Sequence, residues 1–405
     1  MGAGRLTGLE GYVEDGLYSF NDYTSEKTLF FTPGPTYVHP RVLRALSRPV
    51  EPHSYTGFAY KYRAVLSKLK RLFNTRGEVF LMAGSGTLAQ EVMVANCVKP
   101  GDKVLCLATG FFSSRFADIV ERYGGKPKVV EKLDGRGFTA RDLEKLLKRG
   151  GFKAVTVAHV ETSTGVTSMI EEIGEVALRY GVKLIVDAVA SLGGMEVKCD
   201  EWDVTICGSC SQKAIGAPPG CAIIAASRSF VEELEARREP VGTFYGDLKG
   251  WLEVVRNPQS YYSTQPVSMV YALNEALDMM FEEGLENRFK RHFVVAEAVR
   301  RAVEAAGLKI YAKRRFRANT VTVVVKPDRL DDEKLRAEME AYGVTIARGS
   351  GPFKGSTFRI GHMGWITPSD VLSVVSTLEL ALRRLGFKPR RSMVRAALKA
   401  LSSTA

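Results

Sequence analysis

The sequence predicts an α/β protein with two unequal domains, a large one on a mainly parallel sheet and a smaller α+β one toward the C-terminus. The chain has 405 residues, which is too long for one compact core of ordinary size. Between residues 78 and 227, short apolar runs alternate with amphipathic helical stretches. That alternation predicts a doubly wound, mainly parallel sheet. After Pro266 the pattern changes to long helices and a few extended pieces.

Each predicted strand is a continuous run rich in Val, Ile and Leu, as expected for strands buried on both faces. These runs cover residues 103–108, 154–160, 183–189 and 222–226. Helical spacing fills the gaps between them, over residues 111–123, 139–148 and 170–180. Thr139 and Asp142 predict a capping box at the start of the second helix. Gly124 and Gly181 predict the ends of the first and third helices.

The C-terminal part has fewer strands and longer helices. We expect a long helical stretch over residues 267–306, broken near Gly284. A strand at 320–325, a helix at 331–342, an extended piece at 358–360 and a helix at 368–385 follow. We therefore predict four parts, which are an N-terminal arm at 1–30, a large domain at 31–283, a small α+β domain at 284–386 and a basic tail at 387–405.

Composition limits the classes of function. No apolar run reaches the roughly 18 residues that a membrane span needs, and residues 1–16 lack an apolar signal core. We expect a cytoplasmic protein with no membrane partner. The formal net charge is +12, but Lys and Arg are spread over helix surfaces except in the tail. A role in binding nucleic acid therefore stays only as an alternative.

Cysteine and glutamine usage give two weaker signals. The six cysteines mostly lie in apolar runs, which predicts buried thiols in a reducing compartment. Cys207 and Cys210 form a C-x-x-C, but no second such pair or His pair accompanies them. We therefore predict no metal site. The chain has only four glutamines, which is typical of heat-stable proteins.

Three segments carry chemical side chains at the ends of predicted strands, where doubly wound sheets bind ligands. Residues 83–87 (Ala-Gly-Ser-Gly-Thr) connect a strand to a helix, so Ser85, Gly86 and Thr87 offer backbone N–H groups and hydroxyls to an anion. A plain tight turn explains the same residues. Asp187 ends a buried strand, where a carboxylate needs a cation or hydrogen-bond donors. Its alternative is a turn or capping residue.

The third segment, residues 208–220, places Lys213 between an apolar strand and a Gly/Pro turn. Lysine forms imines with aldehydes, and burial lowers its pKa enough to leave a usable neutral amine. Lys213 lies one strand beyond Asp187 in the predicted sheet. A lysine that simply reaches solvent is the alternative interpretation.

Together these pieces resemble the class V aminotransferases, which are pyridoxal-phosphate (PLP) enzymes of fold type I. The resemblance runs from about Thr32 to about Leu385 and is closest to the serine–pyruvate, alanine–glyoxylate and serine–glyoxylate branch. It rests on these motifs: TPGP at 32–35, SGT at 85–87, ETSTGV at 161–166, DAVASLGG at 187–194, SQKA at 211–214, APPG at 217–220 and FRIG at 358–361. It implies a seven-stranded-type, mainly parallel sheet in the large domain.

The resemblance also implies a role for each matching residue. Lys213 would carry PLP as a Schiff base, and Asp187 would pair with the pyridine nitrogen. Arg359 would bind the substrate carboxylate, with Gly34 of the TPGP motif beside the substrate. The other residues are implied to contact the cofactor: Ser85, Gly86, Thr87 and Gln212 at the phosphate, Phe112 stacked on the ring, Thr162 at the O3′ side, and Tyr261 and Thr264 reaching the phosphate from the partner of a homodimer.

This chain departs from the family pattern at several of these positions. Phe112 stands where Trp is frequent, which keeps the stacking but removes an indole donor. Thr162 replaces a frequent Ser and keeps the hydroxyl, whereas Thr87 replaces the His of some relatives. The Cys207 and Cys210 pair beside Lys213 is unusual for the family and has no predicted role.

The resemblance implies a ping-pong aminotransferase that moves an amino group from serine or alanine to pyruvate or glyoxylate. A lyase on the same fold, which would eliminate the β-substituent of its substrate, is the main alternative. A cysteine desulfurase is disfavoured, because no cysteine follows Cys221 to act as the nucleophile on a small-domain loop.

Overall fold

A computed structural model describes residues 28–403, so the predicted N-terminal arm lies almost wholly outside the described residues. The strands, in chain order, are β1 (Leu29–Phe31), β2 (Glu78–Gly84), β3 (Lys103–Ala108), β4 (Lys126–Glu131), β5 (Phe152–Ala158), β6 (Val160–Glu161), β7 (Val166–Thr167), β8 (Lys183–Asp187), β9 (Ile206–Cys210), β10 (Gly220–Ala226), β11 (Lys309–Ile310), β12 (Val321–Val325), β13 (Val344–Arg348) and β14 (Thr357–Gly361).

The helices, in chain order, are α1 (Pro40–Leu46), α2 (Thr56–Phe73), α3 (Gly86–Cys97), α4 (Phe111–Arg122), α5 (Ala140–Leu147), α6 (Ile170–Arg179), α7 (Arg228–Ala236), α8 (Leu248–Arg256), α9 (Val267–Glu283), α10 (Leu285–Ala305), α11 (Asp332–Ala341), α12 (Pro368–Arg384) and α13 (Met393–Ser403). The predicted capping box of Thr139 and Asp142 is present at α5. Gly124 and Gly181 have positive φ just after α4 and α6, as predicted for helix ends.

The large sheet has seven strands in the order β2-β10-β9-β8-β5-β3-β4, which confirms the predicted α/β fold. Only β10 runs against its neighbours. A continuous apolar run does not reveal this direction, because β10 is buried on both sides like the parallel strands. Since β2 and β9 both pair antiparallel with β10, six strands share one direction. Their carboxyl ends therefore lie along one edge of the sheet.

The smaller sheet has five strands in the order β1-β13-β14-β12-β11. The pairing of β1 with β13 means that Leu29–Phe31, at the expected end of the N-terminal arm, belongs to this sheet. At the other end of the chain, the predicted basic tail contains α13, which packs on α10 and α12. Met393 and Ala397 of α13 are fully buried in the core of the small sheet. The remaining division into domains stays a prediction.

No helix among the described residues is both long enough and apolar enough to cross a membrane. All six cysteines are buried and free, which agrees with the interpretation of the C-x-x-C pair as ordinary core residues. Cys207 and Cys210 lie within β9, where residues three apart point to opposite faces. Within residues 28–403, no group of three or more His, Cys, Asp or Glu side chains is placed to hold a metal ion.

Candidate active site

The carboxyl edge of the large sheet collects most of the residues that the sequence singled out. Ser85 follows β2, Phe112 follows β3, Thr162 follows β5, Asp187 ends β8 and Lys213 follows β9. These strands are neighbours or near neighbours in one sheet. Segments that are far apart in the chain therefore converge because their strands end at the same edge.

Two hydrogen bonds, one to the backbone and one from the amine, connect Lys213 to the segment that contains the TPGP motif. The Thr36 hydroxyl donates to the Lys213 carbonyl at 3.0 Å, and the amine donates to the carbonyl of Pro33. Burial lowers the pKa of Lys213, and the nearby Arg359 charge lowers it further, while Cys210 and Asp187 act in the other direction. A larger share of the amine is therefore neutral near neutral pH than for an exposed lysine.

Gly34 packs directly against the Lys213 side chain. It has φ +105°, and a Cβ placed there would lie 2.5 Å from Cδ and 2.9 Å from Nζ of Lys213. A side chain at position 34 would displace the amine as well as strain the backbone. The TPGP motif therefore shapes the space around Lys213. Its contact with substrate stays a prediction.

Asp187 is buried and makes no ion pair within the part of the chain that the structure describes. The Gln90 amide donates to Oδ2 at 2.6 Å, and the Val189 N–H donates to Oδ1 at 2.7 Å. Burial raises the pKa of Asp187 to about 6, although these two hydrogen bonds oppose the shift. A nearby positive charge would stabilise the ionised form of a buried carboxylate that has no ion pair.

The loop between β2 and α3 presents Ser85 and Thr87 to solvent, with Gly86 buried between them. A Cβ on Gly86 would lie 2.7 Å from Val189 and 3.4 Å from the Cys210 sulfur, so only glycine fits this close packing. Gln212 lies next to Lys213, and its buried Oε1 has no hydrogen-bond partner within residues 28–403. An amide oxygen only accepts hydrogen bonds, so a phosphate would be bound through the amide nitrogen of Gln212.

The buried carboxylate of Glu161 joins the segment that carries Phe112 to the segment that carries Thr162. Glu161 accepts from the N–H of Ser113 at 2.7 Å and from the N–H of Phe112 at 3.3 Å. It also accepts from the hydroxyl of Ser163 at 2.7 Å. A carboxylate at the first turn of α4 is favoured by the helix dipole. Glu161 thereby holds the Phe112 turn against the Thr162 turn.

Arg359 extends toward this edge from β14 of the small sheet. Its Nε donates to the Arg348 carbonyl at 2.8 Å, and neither terminal nitrogen donates to another residue in the range 28–403. Burial lowers the pKa of Arg359 to about 10, while the charge of Glu161 opposes the shift. The guanidinium stays charged at neutral pH with both terminal nitrogens free to bind an anion.

Tyr261 and Thr264 stand apart from these residues. Both are exposed, and across residues 28–403 no hydrogen bond joins them to the other predicted site residues. The Tyr261 ring instead lies 5.4 Å from the ring of His53.

Several functional neighbours were missed in the sequence. Gln90 has no motif of its own, yet it holds Asp187 and also donates to the Phe112 carbonyl at 3.3 Å. Glu161 was part of a recognised motif but had no assigned role. Arg288, fully buried, donates to the carbonyls of Ala214 at 2.7 Å and Gly193 at 2.8 Å. Arg288 and Arg291 are three residues apart in the sequence, as charged residues on an exposed helix face often are. The sequence therefore offers no signal for this contact.

These residues fit PLP on structural grounds. A buried carboxylate with a raised pKa suits a protonated ring nitrogen, and a desolvated lysine suits the aldehyde. The loop from Ser85 to Thr87 lies at the N-terminus of α3, where backbone N–H groups attract a phosphate. Together with the seven-stranded sheet, they define a PLP-dependent enzyme of fold type I.

Comparison with known proteins identifies the family. The chain belongs to the class-V aminotransferases, whose family model matches residues 30–365. It is 40% identical to an uncharacterized aminotransferase of Methanocaldococcus jannaschii, over 93% of this chain and 98% of the relative. It is 35% identical to a serine–glyoxylate aminotransferase of Methylorubrum extorquens, over 88% and 92% of the two chains.

A solved structure, ureidoglycine–glyoxylate aminotransferase from Bacillus subtilis, matches with a TM-score of 0.89 and 32% identity. The match covers 93% of this chain and 98% of that one. The predicted family, fold and cofactor are thereby confirmed. PLP is the cofactor of this chain.

Proposed function

We propose that this aminotransferase moves an amino group from a small amino acid, serine or alanine, to glyoxylate or pyruvate. The observation that carries the proposal is Arg359, whose two terminal nitrogens are free at the carboxyl edge where Lys213 and Asp187 lie. A guanidinium fork of this kind matches a carboxylate with two parallel hydrogen bonds. Relatives named for serine, alanine and glyoxylate support this substrate class, and relatives named for aspartate or ureidoglycine compete with it.

The protein side of the reaction follows from three side chains. Arg359 binds the carboxylate of the donor and so orients its Cα toward the amine of Lys213. Lys213, whose pKa burial lowers, takes the proton from Cα. Asp187 holds a positive charge on the cofactor ring. When bound, PLP supplies the electron-withdrawing ring that accepts the electron pair left at Cα.

A panel of amino donors against glyoxylate and pyruvate tests the proposal. We expect serine or alanine to give the highest kcat/KM, with the matching 2-oxo acid formed in equal amount to the aminated acceptor. Serine that instead gives pyruvate and ammonia without an acceptor would show the elimination alternative. Aspartate or ureidoglycine as the preferred donor would move this enzyme to another branch of the family.

Arg359→Ala is expected to lower kcat/KM for the donor by about 30-fold or more. Truncating one partner of a buried hydrogen-bonded charge pair costs about 2–5 kcal/mol. Arg359→Lys keeps the charge without the fork and should recover only part of the loss. Arg383→Ala, on the exposed side of α12, is the matched control. An unchanged kcat/KM in Arg359→Ala would show that another group binds the carboxylate.

We further propose that the active site is completed in a homodimer by Tyr261 and Thr264 of the second copy. Tyr261 is 67% exposed and Phe244 is 77% exposed. Phe244 stacks on Tyr262 at 5.0 Å, so its exposed ring lies beside the segment that carries Tyr261. Gln265 beside them is buried, yet neither of its amide atoms has a partner among the described residues. An exposed aromatic patch next to unsatisfied polar atoms favours a protein interface.

Phe244→Glu is expected to shift the protein from dimer toward monomer, because it replaces an exposed apolar ring of the proposed interface with a charge. Sedimentation analysis measures the mass, and a PLP titration of the same sample should show weaker binding. Leu178→Glu is the matched control, since Leu178 is also apolar and 64% exposed but lies on α6. A wild-type monomer that binds PLP fully would contradict the proposal.

A further inference from the structure

Arg115 lies on α4 one turn after Phe112, so the two side chains share a helix face. Its guanidinium carbon is 5.2 Å from the centre of the Phe112 ring and 5.6 Å from that of Phe111. Its Nη1 donates to the Thr87 hydroxyl at 2.9 Å. Arg115 thus reaches from the ring-stacking helix to the loop that begins α3.

Arg115 has no carboxylate partner among the described residues. It is half-buried, and none of the ion pairs formed within residues 28–403 includes it, whereas many of the other arginines pair with a carboxylate. An arginine held in place by a hydroxyl and two aromatic rings, without an acid, is placed to meet an anion from outside the chain.

The loop that Arg115 contacts offers only neutral donors. Ser85 and Thr87 supply hydroxyls, and the first turn of α3 supplies N–H groups with the partial charge of a helix end. A phosphate monoester carries a charge of about −1.5 to −2 at pH 7. Neutral donors leave most of that charge uncompensated, and a guanidinium is the side chain best suited to neutralise it.

We propose that Arg115 is a binding residue for the phosphate group of PLP and supplies the positive charge that the loop from Ser85 to Thr87 lacks. This inference rests on the proposed placement of the phosphate at that loop. Thr87 accepts the hydrogen bond from Arg115 and so aligns the guanidinium with the loop. The Phe111 and Phe112 rings pack against the guanidinium and limit its movement away from the loop.

The test compares two ligands that share an aldehyde and differ in the phosphate. Apo-protein is titrated with PLP and with pyridoxal, and the ratio of the two dissociation constants isolates the phosphate contribution. Both ligands react with Lys213 in the same way, so that reaction cancels in the ratio. We expect Arg115→Gln to weaken PLP binding by about tenfold to a hundredfold and to leave pyridoxal binding unchanged.

Arg115→Lys keeps the charge and should retain a larger part of the PLP preference. Arg122→Gln, at the exposed C-terminal end of the same helix, should retain all of it. Equal weakening of both ligands in Arg115→Gln, or a PLP preference that does not change, would overturn the proposal. Because both readouts are equilibrium binding, they hold whichever amino donor the enzyme uses.

Thr87→Val and Ser85→Ala separate this inference from the placement on which it rests. Loss of the PLP preference in Arg115→Gln and in both loop variants supports both assignments. Loss in Arg115→Gln alone supports Arg115 as a phosphate ligand and shows that the loop hydroxyls do not bind the phosphate. If the PLP preference is retained in Arg115→Gln but lost in the loop variants, Arg115 is rejected as a phosphate ligand and the loop is supported as the phosphate site.

Discussion

Lys213→Ala is expected to remove the visible absorbance of protein-bound PLP and to lower turnover by about four orders of magnitude or more. A general base contributes up to about 10⁴ in rate, and the family resemblance implies that this amine also holds the cofactor covalently. Borohydride treatment followed by peptide mass analysis should fix PLP on Lys213 in the wild type and nowhere in the variant.

Two variants control for side effects of that substitution. Lys213→Arg keeps a positive charge, but a guanidinium is never deprotonated at working pH and neither condenses with the aldehyde nor takes the proton. Lys153→Ala removes an exposed lysine of β5 and should behave as the wild type. A Lys213→Ala protein that stays yellow and active would reject the central assignment.

Asp187→Asn is expected to lower kcat by between about 10²-fold and 10⁴-fold. Removing one member of a buried charge pair costs about 3–5 kcal/mol, and in our proposal the other member is the protonated cofactor ring. Asp118→Asn, exposed on α4, is the matched control. A kcat within a factor of two of wild type would mean that another group keeps the ring protonated.

The same residue predicts how the stability of the apo-protein depends on pH. Burial raises the pKa of Asp187 to about 6, well above that of an exposed aspartate, so the folded state binds this proton more tightly than the unfolded chain does. Its contribution to stability is complete below about pH 4 and is lost as the pH rises through about 6. Compared with the ordinary aspartate pKa of about 3.9, this raised pKa corresponds to about 3 kcal/mol.

Urea unfolding of the apo-protein at pH 4.5 and pH 7.5 measures this effect. We expect apo Asp187→Asn to be more stable than the apo wild type at pH 7.5, with a smaller difference at pH 4.5. PLP should remove the difference at pH 7.5, because it provides a positive partner for the carboxylate. A difference that is constant with pH would show that Asp187 has an ordinary pKa in the folded apo-protein.

Local patterns in the sequence were enough to predict the mainly parallel sheet and the places of Asp187 and Lys213 at the ends of its strands. Parallel strands buried on both faces leave continuous apolar runs, and their direction alone places the following residues at one edge of the sheet. The capping box at α5 and the glycine ends of α4 and α6 were predictable because they depend on residues a few positions apart. The reversed direction of β10 left no such local mark.

Contacts between distant segments were decided by the tertiary structure alone. Gln90 and Asp187 are 97 residues apart, and Arg115 and Thr87 are 28 residues apart. No periodicity in the chain encodes which side chain completes a hydrogen bond across such separations. Helical and strand periods act over a few residues, whereas the bonding partner of a buried polar group depends on how whole elements pack.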